Sequence, residues 1–225
     1  MKDDLTGLDI GRVVDFDPAA DRLCDLDFTS GNTELNAEIL GDTDRFSDWV
    51  ARKLTDNECR YGIGGYDEHR TIYARSVHFD STEEPRRLHL GVDIWGPAGT
   101  PVYNFYDAEV HSFKFNNNFG DYGATIILKY RIGDLTFHAL YGHLNLASLD
   151  GLEKGQFIAR GTQIAAFGNK EENGYWPAHL HFQLIIDMQG WEGDYPGVCQ
   201  FNKKGEYLSN CPDPSLILKH TFKRS

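Results

Sequence analysis

Two short stretches concentrate side chains that can grip a cation: His89-Leu90-Gly91-Val92-Asp93 and His179-Leu180-His181. Both lie in runs that read as β-strands, where residues two or four apart share a face. In 88–94 the leucines, valine and isoleucine take one face, and His89, Gly91 and Asp93 take the other. In 179–186, Leu180, Phe182, Leu184 and Ile186 share one face and both histidines point the opposite way. Zinc in a hydrolytic site takes three protein ligands and keeps a fourth position open. His89 and Asp93 supply two; His179, His181 or both supply the rest, and spacing leaves those alternatives open. Gly91 sits between the first two donors on their shared face, where a larger side chain would crowd an ion. His143 follows a strand beside Gly142 and, from a sheet edge, can reach toward the same ion. His138 lies an odd number of residues away and is expected to face elsewhere if the strand is unbroken. There is no His-Glu-x-x-His helix, so histidines outside the ligand set would have to move protons or stabilise an oxyanion. His69, His78, His111, His138 and His220 individually read as surface or satisfied core histidines. His89, Asp93 and the His179/His181 pair together do not, because burying them without a metal would leave polar groups unpaired.

The elements that must position these residues are mostly strands. Strand patterns cover 101–103, 109–115, 124–130 and 135–141, separated by turn signals at 116–121 and 132–134. Short strands flank the turns at Lys154-Gly155-Gln156 and Arg160-Gly161-Thr162. Connections too short for crossover helices predict a largely antiparallel sheet. Residues 1–70 form an acidic, partly helical extension. Its one clear amphipathic helix carries Phe46, Trp49, Val50 and Leu54 behind a cap in Asp42-Thr43-Asp44. Tyr61-Gly62-Ile63-Gly64-Gly65-Tyr66 reads as a glycine-rich connector, without the Lys-Ser/Thr ending of a phosphate loop. The expected organisation is therefore the extension at 1–70, a β-rich catalytic domain at 71–190, and a tail at 191–225 packed back on the core. For the extension, a helical layer against the sheet is favoured over a segment that covers the metal.

Bulk composition narrows the function classes. The 225 residues are 40% hydrophobic and 25% charged, which is ordinary for a globular protein. A net charge of −12 disfavours nucleic acid or an anionic membrane surface as a partner. No run is long and apolar enough for a membrane span. Met1-Lys2-Asp3-Asp4-Leu5 lacks the pattern of a signal peptide. The expectation is a cytoplasmic protein as the sequence stands, or an exported one if a leader was removed. Cys24, Cys59, Cys199 and Cys211 form no Cys-x-x-Cys pair; free thiols are expected, with Cys199–Cys211 the pair that could close a loop under oxidation. Oligomeric state is not fixed by any of these patterns.

Taken in order, His89-x-x-x-Asp93, Tyr141-Gly142-His143-Leu144 and His179-Leu180-His181-Phe182 closely resemble the lysostaphin-type (LytM-like) zinc metalloendopeptidases, a peptidoglycan-hydrolysing family. Gly99-Thr100-Pro101-Val102 and the turns at Gly155 and Gly161 add to the match, which spans about residues 85–187. The resemblance implies a mainly β fold with an antiparallel sheet core of the barrel-sandwich hybrid type. It also implies one Zn2+ held by His89, Asp93 and His181, with His143 and His179 as catalytic histidines and a peptide or peptidoglycan substrate. Two departures bear on specificity. The approach to the second motif is Asn173-Gly174-Tyr175-Trp176-Pro177-Ala178, bulky where similar proteins are small, and Gln183 stands where an acidic residue is common. Tyr175 and Trp176 are candidates for a cleft wall, with core packing an equal alternative for Trp176. Three other functions compete: a non-catalytic LytM-type regulator, which the intact residue set argues against; a cytoplasmic peptidase on another peptide; and a lipoyl- or biotin-carrier, for which no flanked hairpin-tip lysine is present.

Overall fold

The computed structural model describes residues 5, 7–75 and 84–222; His78 lies outside the described residues. Strands dominate, in the order β1 (Leu23–Asp25), β2 (Tyr61–Gly64), β3 (Leu88–His89), β4 (Val92–Trp95), β5 (Pro101–Tyr103) and β6 (Ala108–Asn116). There follow β7 (Gly123–Ile132), β8 (Leu135–Leu144), β9 (Phe157–Ile158), β10 (Gln163–Ala166), β11 (His179–Ile185) and β12 (Val198–Cys199). Helices α1 (Ala37–Gly41) and α2 (Thr43–Asp56) precede β2, and α3 (Lys204–Asn210) and α4 (Ser215–Phe222) close the chain. One eight-stranded sheet runs β1-β2-β4-β11-β8-β7-β6-β9, with the ribbons β10-β5 and β12-β3 beside it. Among the described residues every strand pairing is antiparallel except β1 with β2. The fold is mainly β, as the strand patterns imply.

Period-two alternation sorts the sheet into two faces. Leu180, Phe182 and Leu184 of β11 join Phe137, Ala139 and Tyr141 of β8 in the main core, with Val102 of β5 and Ala165 of β10 laid over them. The opposite face carries two smaller apolar clusters with the site between them. One holds Leu88, Leu90, Ile127, Leu140 and Ile185; the other holds Phe28, Phe46, Trp49, Trp95 and Trp176.

Residues before β3 are built into this sheet. The run 61–66 is not a connector: Tyr61–Gly64 is β2, which pairs with β4 through Gly62↔Trp95 and Gly64↔Asp93. Its glycines suit close packing: a Cβ on Gly62 would overlap the Leu26 side chain, and one on Gly64 would lie 2.6 Å from Arg70 Nη2. Leu5, Ile10, Val13 and Val14 enter the main core. Helix α2 forms where its pattern places it. The Asp42 side chain accepts from the backbone N–H groups of Asp44 and Arg45, and Phe46, Trp49, Val50 and Leu54 are buried. The layer is closed by a disulfide between Cys24 and Cys59, while Cys199 and Cys211 are buried free thiols. Cys199 and Cys211 are free as expected, whereas Cys24 and Cys59, also expected free, form a bridge between the ends of the helical segment, a contact set by the sheet rather than by cysteine spacing. The tail is more ordered than its turn signals imply. β12 pairs with β3, and α4 buries Ile217 and Leu218 in the main core.

Candidate metal and catalytic site

The run 88–94 is not one strand. β3 ends at His89 and β4 begins at Val92, so Leu88 and Leu90 pack in a different cluster from Val92 and Ile94. The expected single apolar face is wrong, because the chain changes ribbon at Leu90-Gly91: β3 pairs with β12, and β4 with β11. The break brings His89 and Asp93 to one point all the same. Asp93 lies directly opposite His181 across the β4–β11 ladder. Gly91 is required there. A Cβ would stand 2.6 Å from His181 Cε1, 2.7 Å from Nε2 and 2.9 Å from the Phe182 carbonyl.

His89, Asp93 and His181 are all buried and form one group able to hold a metal ion. His89 Nε2 lies 3.0 Å from His181 Nδ1 and 3.2 Å from Asp93 Oδ1, and His181 Nδ1 lies 3.0 Å from the same oxygen. Three atoms on tetrahedral bonds of about 2.0–2.1 Å to zinc would be separated by about 3.3 Å, close to the spacing seen.

The outer partners of each group decide which atoms are available. His89 Nδ1 donates to the Gly65 carbonyl at 2.8 Å, which leaves Nε2 with its lone pair. His181 Nε2 donates to Gln183 Oε1 at 2.8 Å, which leaves Nδ1 with its lone pair. The Gln183 amide is oriented by its own donations to the Pro196 carbonyl and Cys211 Sγ. Asp93 Oδ2 accepts from Arg70 Nη1 at 2.5 Å, leaving Oδ1 for the centre. Three lone pairs therefore converge with no proton between them, an arrangement that calls for a cation. The residues fit a divalent metal with nitrogen and oxygen ligands.

Electrostatics agree. Burial alone would raise the Asp93 carboxyl, but the charges beside it, the Arg70 guanidinium among them, override it and hold it well below the usual carboxylate range. Burial, with Arg70 nearby, lowers His89 to about 4, so its ring is neutral at neutral pH.

His143 and His179 stand beside this group. Their ring centroids are 4.1 Å apart, and His143 is 6.3 Å from the His181 ring. Each donates Nδ1–H to a backbone carbonyl at 2.8 Å, His143 to Asn173 and His179 to Pro177. That leaves Nε2 of each for the cleft both rings line. Burial is the main cause that lowers both, His179 to about 4 and His143 well below the usual histidine range, where the neighbouring His179 adds to it.

His143 reaches this position by a device that strand parity does not reveal. It sits within β8, not after it, at φ 62°, where the β7–β8 register slips between Ala124 and Ile126. The left-handed turn rotates the imidazole onto the site face between Tyr141 and Leu144, both of which stay in the core. The same slip corrects the parity expectation for His138. It pairs opposite Ile185 and so lies on the face of His181, but at the far end, against His111.

Several residues of the site carry no sequence signal. Trp95, two residues beyond Asp93, stacks on His179 at 3.9 Å with the rings 13° apart. Tyr122 packs between His143 and His181, on Gly142. Arg70 and Gly65 come from the chain before β3. The cleft is lined by Tyr73, Tyr122, Trp176, Trp191, Asp194 and Tyr195 around the histidines, and by no described residue before Arg70, so α1 and α2 form a supporting layer rather than a cover. Trp176 both lines the cleft and is buried. Tyr175 is turned outward at φ 65°, 41% exposed, beside Phe119.

The model of peptidase family M23 matches residues 87–192. The DD-carboxypeptidase/endopeptidase Mpg of Neisseria meningitidis is 30% identical over 131 residues, 56% of this chain and 28% of that protein. The peptidoglycan DD-endopeptidase ShyA of Vibrio cholerae is 31% identical over 115 residues, 47% of this chain and 24% of that one. The chain thus spans about a quarter of the length of these curated relatives. Among solved structures, the catalytic domain of lysostaphin from Staphylococcus simulans is 21% identical, with 77% of this chain and 97% of that one covered and a TM-score of 0.46. A zinc-containing peptidase from Vibrio cholerae is 28% identical, covering 44% and 28%, with a TM-score of 0.35. The match to the model of peptidase family M23 spans residues 87–192, the stretch that holds His89, Asp93, His143, His179 and His181.

Proposed function

We propose that this protein is a zinc-dependent endopeptidase that hydrolyses peptide bonds in the stem or cross-link peptides of peptidoglycan. The observation that carries the reading is the convergence of three unprotonated donors, His89 Nε2, Asp93 Oδ1 and His181 Nδ1, beside two rings with open Nε2 atoms. Those three would hold the ion. Zinc there would activate water and polarise the scissile carbonyl.

The chain's own groups divide the remaining work. His143 and His179 are neutral with unprotonated Nε2 atoms, so either can take a proton from attacking water and, as the imidazolium so formed, give it to the leaving amine. The Nδ1 bonds to Asn173 and Pro177 fix both rings in that tautomer, and Trp95 stacked on His179 prevents its rotation. The aromatic walls limit access of water and favour an extended peptide. The relatives' names supply the substrate class: they act on peptidoglycan or as DD-carboxypeptidase/endopeptidase. A regulator without activity needs none of these aligned protons, and the complete set supports the enzyme. The Cys24–Cys59 disulfide supports action outside a reducing cytoplasm.

The test is digestion of purified peptidoglycan by the zinc-loaded wild type and by His143→Ala, with products identified by mass. New amino termini from the wild type alone support the reading. A zinc-loaded wild type that leaves peptidoglycan intact and cuts only unrelated peptides would move the substrate elsewhere. One that cuts nothing would favour the regulator.

A further inference from the structure

The family segment begins at residue 87, yet the metal donors are held from outside it. Gly65 fixes the His89 ring through its carbonyl. Arg70, with no solvent exposure, holds the Asp93 carboxylate. The guanidinium is fully engaged. Nη1 reaches Asp93 Oδ2 at 2.5 Å and Tyr73 Oη at 3.2 Å, Nη2 reaches the Gly65 carbonyl at 3.2 Å, and Nε reaches Glu68 at 2.6 Å. A cation this close to a metal site costs affinity unless it serves a purpose, since like charges repel across a poorly screened interior. Its geometry supplies one. A carboxylate can meet a metal through one oxygen or both, and Arg70 occupies the second oxygen with a charge-assisted hydrogen bond.

We propose that Arg70 is the positioning residue of the metal centre: by holding Asp93 Oδ2 it restricts Asp93 to a single ligand oxygen and keeps a coordination position open. The proposal rests on the metal-site reading above. It makes residues 65–73, which precede the family segment, part of the working centre. Glu68 balances the buried charge, and Gly64 leaves room for the guanidinium, since a Cβ there would lie 2.6 Å from Nη2. Arg70 touches no reacting atom in this account and acts only through Asp93.

Cobalt(II) in place of zinc reports the outcome, because its visible absorption weakens as coordination number rises. Wild type, Arg70→Met and Arg70→Lys are loaded with cobalt, and zinc affinity is measured by competition with a chelator. The expected result is weaker absorption for Arg70→Met, with zinc bound about 10- to 100-fold less tightly. Arg70→Lys, which keeps one donor for Oδ2, regains the wild-type spectrum. If Arg70→Met keeps the wild-type spectrum and zinc affinity and loses only thermal stability, Arg70 is structural and the proposal fails. Should Arg70→Met not fold, the infrared spectrum of metal-loaded wild type decides. Widely split Asp93 carboxylate stretches mark a one-oxygen ligand and support the proposal; closely spaced ones mark both oxygens and overturn it. A wild type that takes up no metal refutes the metal-site reading itself, a different result from an unchanged spectrum.

Discussion

Replacing Gly91 by alanine adds one methyl group and tests the geometry of the centre without removing a donor. The new Cβ would meet His181 Cε1 at 2.6 Å and Nε2 at 2.7 Å, where carbon contacts normally begin near about 3.5 Å. The imidazole must therefore retreat by about 0.9 Å, the shortfall of the 2.6 Å contact from that distance. Backbone cannot absorb the shift, because the Phe182 carbonyl is 2.9 Å from the same position. Retreat strains the His181–Gln183 hydrogen bond of 2.8 Å and moves Nδ1 well beyond the ±0.2 Å that a metal–ligand bond tolerates. Overpacking of this kind costs about 1–3 kcal/mol. Taken up at the ligand, that is about a 5- to 140-fold loss of zinc affinity, at about 1.4 kcal/mol per decade. The assay is competition with a chromogenic chelator, with circular dichroism as a check on folding. Gly205→Ala is the control, since nothing lies within 4 Å of a Cβ at that helical position. Zinc affinity of Gly91→Ala within twofold of wild type would refute the reasoning.

Further outcomes follow from the same structure. His143→Ala and His179→Ala should each retain metal and lose about 10²- to 10⁴-fold in kcat; loss of metal from either would place it among the ligands. Reducing Cys24–Cys59 releases a constraint on a loop of 35 residues, worth about 4 kcal/mol by loop-closure entropy. Urea unfolding with and without reductant reads this, and an unchanged midpoint would contradict it. The denatured, unreduced protein should titrate two thiols, Cys199 and Cys211, whereas four would deny the bridge. Burial, helped by His111, lowers His138 to about 4, against about 6.5 in the unfolded chain. The unfolded state then binds more protons between those values, so stability is full above pH 6.5 and declines as pH falls toward 4. Melting temperatures from pH 7 to 4 should show that slope, shallower in His138→Leu; a slope unaltered by the substitution would reject this assignment.

How much of this was legible in the sequence depends on the range of the interaction concerned. His89, Asp93 and the His179/His181 pair stand out because their spacing is local, although only the family resemblance singles out His181 as the third donor, and α2 stands out because Asp42 and its apolar stripe lie within one helix. Gly91 was legible for the same reason. Arg70 was not: it meets Asp93 across 23 residues, and a buried arginine looks like any other in sequence. β2 was hidden by its glycines, which resemble a linker until the Leu26 side chain and the Arg70 guanidinium are seen to fill the space they leave. Parity failed where backbone geometry departed from the regular strand, at the Leu90-Gly91 break and at the left-handed His143. The Cys24–Cys59 pairing depends on the parallel β1–β2 contact, which no cysteine spacing encodes.

The central claim is that His89, Asp93 and His181, rather than His179 or His143, hold the ion. Anomalous diffraction at the zinc edge from zinc-loaded crystals tests it most directly. The account predicts one peak per chain, about 2.0–2.1 Å from His89 Nε2, Asp93 Oδ1 and His181 Nδ1, with the Nε2 atoms of His143 and His179 outside bonding distance. A peak bonded to His179 or His143, or none among these five residues, would contradict it.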